Sequence, residues 1–147
     1  MGTKLIIMER LEHIGIAVRS LDKANATFSL LLGAEHYKIE EVESEGVRTS
    51  FFQVGGVKLE FLESTQENSP IAKFIEKRGE GIHHLAFHVT DLVKSIEHCK
   101  SKGFEMINET PRKGADNKLI CFLHPKSTAG VLVELCADAD VISSSSH

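Results

Sequence analysis

The sequence predicts an α+β fold in which one βαβββ unit occurs twice. Two observations carry that prediction. First, Gly81–Val89, GIHHLAFHV, and Leu11–Val18, LEHIGIAV, share a pattern: from His84 and from His13, a histidine is followed by large apolar residues alternating with small or polar ones. Second, the landmarks downstream of each run come in the same order at a nearly constant offset. His13 to His84 and Leu21 to Leu92 are 71 residues apart, Gly33 to Gly103 is 70, and Glu60 to Glu134 is 74. Loop insertions produce a drift of that size. A unit with one exposed sheet face needs a second to bury it, so the expectation is a single domain, 9–138, made of module one (9–78) and module two (81–138). A flexible tail is expected at 139–147.

The elements follow from local chemistry. Leu11–Val18 alternates as a strand, with Ile14, Ile16 and Val18 on one face and His13, Gly15 and Ala17 on the other. Glycine weakens a strand, so Gly15 marks a face that something approaches closely. Ser20 or Asp22 caps a helix to about Leu32, with Leu21, Phe28, Leu31 and Leu32 as its buried stripe and Gly33 as its stop. Strands are read at Tyr37–Val42, Val47–Val54 and Val57–Glu63, the last two joined through Gly55-Gly56. Asn68-Ser69-Pro70 opens a short helix to about Lys77, and Gly79-Glu80-Gly81 joins the halves. In the second half Thr90 or Asp91 caps a helix with Leu92, Ile96 and Cys99 inward, ended by Gly103. Strands are expected near Glu105–Thr110, Leu119–His124 and Val131–Cys136, with polar loops at Pro111–Lys118 and Pro125–Gly130.

Composition removes several classes of function. At 147 residues the chain is long enough to bury a real core. A net charge of −4 leaves no basic footprint for nucleic acid. No apolar run approaches the roughly 20 residues that span a bilayer, and MGTKLIIMER does not read as a secretory signal. Cys99, Cys121 and Cys136 are odd in number and lack CxxC spacing, as expected of buried, reduced thiols in a cytoplasmic protein.

The repeat supplies one histidine and one glutamate per module. If the modules pair about a pseudo-twofold, His13, Glu60, His84 and Glu134 converge on one cavity. Two imidazoles and two carboxylates suit a divalent ion such as cobalt, manganese, nickel or zinc, and two anionic ligands cancel its charge. Taken singly, each residue has a plainer reading. A lone strand histidine is usually a satisfied core residue. A glutamate such as Glu60, between Leu59 and Phe61, or Glu134, between Val133 and Leu135, usually faces the solvated side of an antiparallel sheet. Recurrence at matching places favours the metal. His83 points to the face opposite His84 and is read as structural. His88 lies about 13 Å further along the strand, too far to share the ion. His36, His98 and His124 receive no metal role, and Lys126 is read as a solvated lysine or a point charge for a phosphate.

LEHIGIAVRSLDKA, NSPIAKFIEKRGEGIHHLAFHVTDL and FLHPKSTAGVLVEL resemble the methylmalonyl-CoA epimerase family of the vicinal oxygen chelate superfamily, from about Leu11 to Leu135. The resemblance implies a cupped, barrel-like sheet of eight strands from paired βαβββ modules with helices outside, in a homodimer. It implies metal ligands at His13, His84 and Glu134, a fourth at Glu60, and an acyl-CoA thioester as substrate. Thr49 stands where a relative has a proposed catalytic glutamate, with Glu43 and Glu45 nearby. The loop KGADNK lacks a glycine often found there.

The implied reaction interconverts the 2R and 2S forms of methylmalonyl-CoA, by proton removal and return at C2 through a metal-stabilised enolate. Glu134 is the expected base; Glu60, Glu43 and Glu45 are candidates for the opposing acid. The alternatives are a glyoxalase I-like lactoylglutathione lyase, which would use the same ligands, and a metal-free protein of the same fold that sequesters an antibiotic. A ring-cleaving dioxygenase fits less well, because two carboxylates depart from the two-histidine, one-carboxylate arrangement.

Overall fold

A computed structural model describes residues 8–139, so all but Ala139 of the expected tail lies outside the described residues. Eight strands and three α-helices occur among them. They fall into two compact units: a contiguous one, His13–His84, and one built from the residues up to Glu12 together with those from Leu85 onward.

Strand β1 (Met8–Ala17) enters the contiguous unit at His13. There follow α1 (Leu21–Leu32), β2 (Lys38–Val42), β3 (Val47–Val54), β4 (Val57–Ser64), α2 (Pro70–Arg78) and the start of β5 (Gly81–Val89). The strands are ordered β2-β3-β4-β1-β5. β1 runs parallel to β4, while β2/β3 and β3/β4 are antiparallel. Of the two possible caps for α1, Ser20 is used: its hydroxyl accepts from the Lys23 N–H at 3.2 Å. Gly33 ends the helix at φ 72°, a conformation glycine adopts without strain. Leu21 and Ala24 are buried, and Phe28 packs with Phe52 and Phe61.

The buried stripe stops sooner than its period suggests. Leu31 and Leu32, expected inside, are 71% and 37% exposed. The apolar cluster on this face ends at Phe28, so the last turn carries both leucines past it. Periodicity predicts a face, not its length.

The hairpin between β3 and β4 turns through two residues, with Val54 opposite Val57 and Gly55 at φ 60°. Ser69 caps α2 by accepting from the Ala72 N–H at 3.1 Å, and Pro70 occupies the first turn.

The other unit holds the first residues of β1, the rest of β5, α3 (Leu92–Ser101), β6 (Arg112–Lys113), β7 (Lys118–Leu123) and β8 (Val133–Asp138). Its order is β1-β5-β8-β7-β6, with β5 parallel to β8. Asp91, the second of the two cap candidates, accepts from the Lys94 N–H at 3.0 Å. Leu92, Ile96 and Cys99 face inward as expected, against Val89, Cys121, Leu123 and Leu135.

One predicted strand is absent. Glu105–Thr110 makes a single bridge, Met106 to Leu123, and β6 is two residues long. Pairing begins correctly: the Ile107 N–H donates to Phe122 O at 2.8 Å and the His124 N–H to Glu105 O at 2.7 Å. The next donor, the Phe122 N–H, goes instead to the Asn108 side-chain oxygen at 3.1 Å. A short amide side chain has replaced the backbone as partner, and the ladder stops.

All three cysteines are free and buried. Burial pushes the Cys121 thiol up to about 12, with the charges of Cys99 and Glu134 adding to it. A group with a raised folded pKa contributes its full stability below its ordinary value of about 9. That contribution is lost as pH rises from there toward 12, so unfolding should become easier across that alkaline window. Native protein at pH 8 should leave Cys121 unmodified by iodoacetamide, while urea-unfolded protein labels fully, as read by mass spectrometry.

Candidate metal centre

The parallel strand pairs set the chemistry. In the contiguous unit Gly15 on β1 is opposite Glu60 on β4, and His13 lies two residues before Gly15. In the other unit Ala86 on β5 is opposite Glu134 on β8, and His84 lies two residues before Ala86 in the chain. Alternation places i and i+2 on one face, so each glutamate stands beside the small residue that follows a histidine.

Within the contiguous unit the structure brings three of the four predicted residues together. His13 Nε2 and His84 Nε2 face each other at 3.1 Å. The rings are edge to face, with centroids 5.2 Å apart and planes at 85°. The other nitrogen of His13, Nδ1, is 3.1 Å from Glu60 Oε2. Gly15 makes this possible: a Cβ there would lie 2.5 Å from His84 Nδ1 and 2.6 Å from its Nε2. The glycine that weakens the strand is the space the imidazole occupies.

Burial decides against the plain reading of the glutamates. Glu60 and Glu134 are each 4% exposed, so neither faces solvent. His13 and His84 are buried as well. A buried carboxylate is costly without a compensating charge or hydrogen bonds. Glu134 is flanked in its own unit by Ala86 and Phe122.

The remaining histidines go elsewhere. His88 Nδ1 lies 2.8 Å from Glu9 and its Nε2 is 3.9 Å from Asp138. The Lys118 ammonium, hydrogen-bonded to Asp138 at 2.5 Å, holds that carboxyl below its ordinary range. His98 lies in α3, His36 before β2, and His124 accepts from the Lys126 N–H just after β7. Lys126 itself pairs with Glu105 at 3.0 Å. Glu43 and Glu45 form a 3₁₀ turn with no buried residue.

Three structural features could not be read from the sequence. Glu12 is buried on β1, hidden by its position at the edge of an apolar run. Thr49 is fully buried, and its hydroxyl has no hydrogen-bond partner among the described residues. His83 meets His84, Nδ1 to Nδ1, at 2.9 Å. Strand alternation separates neighbouring side chains, yet Nδ1 is bonded directly to Cγ and stays near the backbone, where adjacent rings can meet.

Known proteins share this architecture. The sequence profile of the Glyoxalase/Bleomycin resistance protein/Dioxygenase superfamily matches residues 12–122. The chain is 43% identical to YqjC of Bacillus subtilis over 88% of its own length and 92% of that protein's. It is 38% identical to the ethylmalonyl-CoA/methylmalonyl-CoA epimerase of Cereibacter sphaeroides, over 86% of this chain and 96% of that one. The chain belongs to the methylmalonyl-CoA epimerase family of this superfamily. A solved structure agrees: a variant of Streptomyces coelicolor methylmalonyl-CoA epimerase in complex with 2-nitronate-propionyl-CoA, at 36% identity. It superposes with a TM-score of 0.85 over 90% of this chain and 96% of that one. The chain therefore has the glyoxalase fold, and eight strands and three α-helices lie among its described residues. No helix among the described residues is long and apolar enough to cross a membrane.

Proposed function

We propose that this protein is a metal-dependent epimerase that interconverts the 2R and 2S forms of methylmalonyl-CoA. The observation that carries the reading is near full-length similarity to a named epimerase, at 38% identity over 96% of that protein. The ligand in the Streptomyces coelicolor structure points the same way. A nitronate has a planar carbon with its negative charge on oxygen, the electronic form of a carbon acid that has lost its proton.

The residues suit a divalent ion. Two nitrogens bound at right angles, each at about 2.1 Å, lie about 3.0 Å apart, and the two Nε2 atoms are 3.1 Å apart. His13 and His84 of the contiguous unit would hold the ion, with Glu60 acting through His13; the family resemblance implies Glu134 as a further ligand. Cobalt, manganese, zinc and nickel all accept this donor set. When bound, the ion supplies Lewis acidity to the thioester and carboxylate oxygens of the substrate.

The protein's own groups then move the proton. A Glu134 carboxylate oxygen takes the C2 proton, and the electron pair of that C–H bond passes into the thioester as an enolate. A group on the opposite face returns a proton to C2, which inverts the centre. Glu60, Glu43 and Glu45 are the candidates for that role, and of the three only Glu60 is buried. The reading treats 9–138 as one functional domain, acting in a cytoplasmic homodimer. Leu30 and Leu31, exposed at the end of α1, offer apolar surface that such an interface would cover.

The test is deuterium entry at C2 when the metal-reconstituted protein meets methylmalonyl-CoA in heavy water. Exchange well above background with at least one of cobalt, manganese, zinc and nickel is expected. No exchange with any of the four overturns the proposal.

A further inference from the structure

The two imidazoles that face each other at Nε2 are both held at their far nitrogen, but by different groups. Behind His13 is the Glu60 carboxylate, 3.1 Å from Nδ1. Behind His84 is another imidazole: His83 Nδ1 lies 2.9 Å from His84 Nδ1. The His83 ring stands edge-on to Phe74 of α2, with centroids 4.9 Å apart and planes at 85°. The Arg78 guanidinium lies 5.9 Å from the centre of that same Phe74 ring.

We propose that His83 is a positioning residue for His84, and that α2 braces it through Phe74. This rests on the reading of His13 and His84 as ligands of one divalent ion. For both Nε2 atoms to present lone pairs to an ion, each ring must carry its proton on Nδ1. His13 then donates Nδ1–H to Glu60, and His84 donates Nδ1–H to His83. Two ring nitrogens 2.9 Å apart cannot both bear hydrogen, so His83 Nδ1 is the acceptor and its proton sits on Nε2. The tautomers of all three rings follow from one requirement. Groups that bond the outer nitrogen of a ligating histidine fix its orientation and raise its basicity. The adjacent histidine does for His84 what a carboxylate does for His13.

The experiment measures cobalt affinity of the full-length protein by visible-absorbance titration, with no substrate present. His83→Phe keeps a ring beside Phe74 but has no acceptor; affinity should fall about 10- to 100-fold. His83→Asn places an amide oxygen close to where Nδ1 was, and should stay within about threefold of the parent by the same argument. Phe74→Ala frees the His83 ring and should lie between the two. Melting temperatures of the metal-free proteins separate loss of the site from loss of the fold. Parental affinity in His83→Phe overturns the proposal, as does His83→Asn binding as weakly as His83→Phe. No cobalt binding by the parent overturns it too. If the affinity pattern holds but methylmalonyl-CoA takes up no deuterium, His83 keeps its role and the epimerase reading falls.

Discussion

Replacing Gly15 by alanine should remove the proposed metal site while leaving the fold standing. The added methyl would sit 2.5 Å from His84 Nδ1 and 2.6 Å from Nε2, closer than any side chains pack. What it strikes is a ring at the end of a side chain, not backbone, so the ring can swing away. The stability cost should therefore lie near the low end of overpacking penalties, about 1 kcal/mol. The displaced ring no longer faces His13. Cobalt affinity should drop at least as far as when a supporting group is lost, by about 10- to 100-fold or more, and C2 exchange should fall with it. Calorimetric titration and a melting curve read both effects. A variant that binds cobalt normally would show that His84 does not need the place it holds beside Gly15.

With Glu134 as the proposed base, Glu134→Gln should give the largest loss of activity. The amide keeps the length and volume of the side chain but has no basic oxygen to accept the C2 proton. Loss of a positioned general base costs about 10²- to 10⁴-fold in rate. Exchange at C2 should be measured at saturating cobalt, so that weaker binding is not mistaken for lost proton transfer. Rate retained at the parental level would move the base to another residue, with Glu60 next in line because it too is buried.

Much of the architecture is legible in the residues alone. The repeated βαβββ unit follows from the offset between two similar strands, because a repeat constrains every element at once; the glyoxalase fold follows from the family resemblance of the motifs. Of the four residues expected to converge if the modules pair about a pseudo-twofold, His13, Glu60 and His84 lie together within the contiguous unit. Matters of extent and of contact between neighbours escape such reasoning. Leu31 and Leu32 have the right periodicity but lie past the end of the Phe28 cluster. Glu105–Thr110 has strand-like composition, yet one asparagine side chain captures the hydrogen-bond donor that pairing needed. Alternation alone assigns His83 to the opposite face, and it says nothing about two rings meeting close to the backbone. Glu12 shows no sequence signal: one acid near the start of an apolar run looks like many that face water.

The division of the chain at Glu12/His13 and His84/Leu85 also bears on its synthesis. His13–His84 is continuous, so all of its contacts become possible once the ribosome has released residue 84. The other unit joins residues up to Glu12 with those from Leu85 onward, and it cannot close until β8 has emerged. Closing a long loop costs only slowly more with length, but it delays contacts that depend on it. A nascent chain should thus close its contiguous unit early and leave the other unit open until its last strand arrives, so that His13 and His84 are already neighbours before Glu134 has been made.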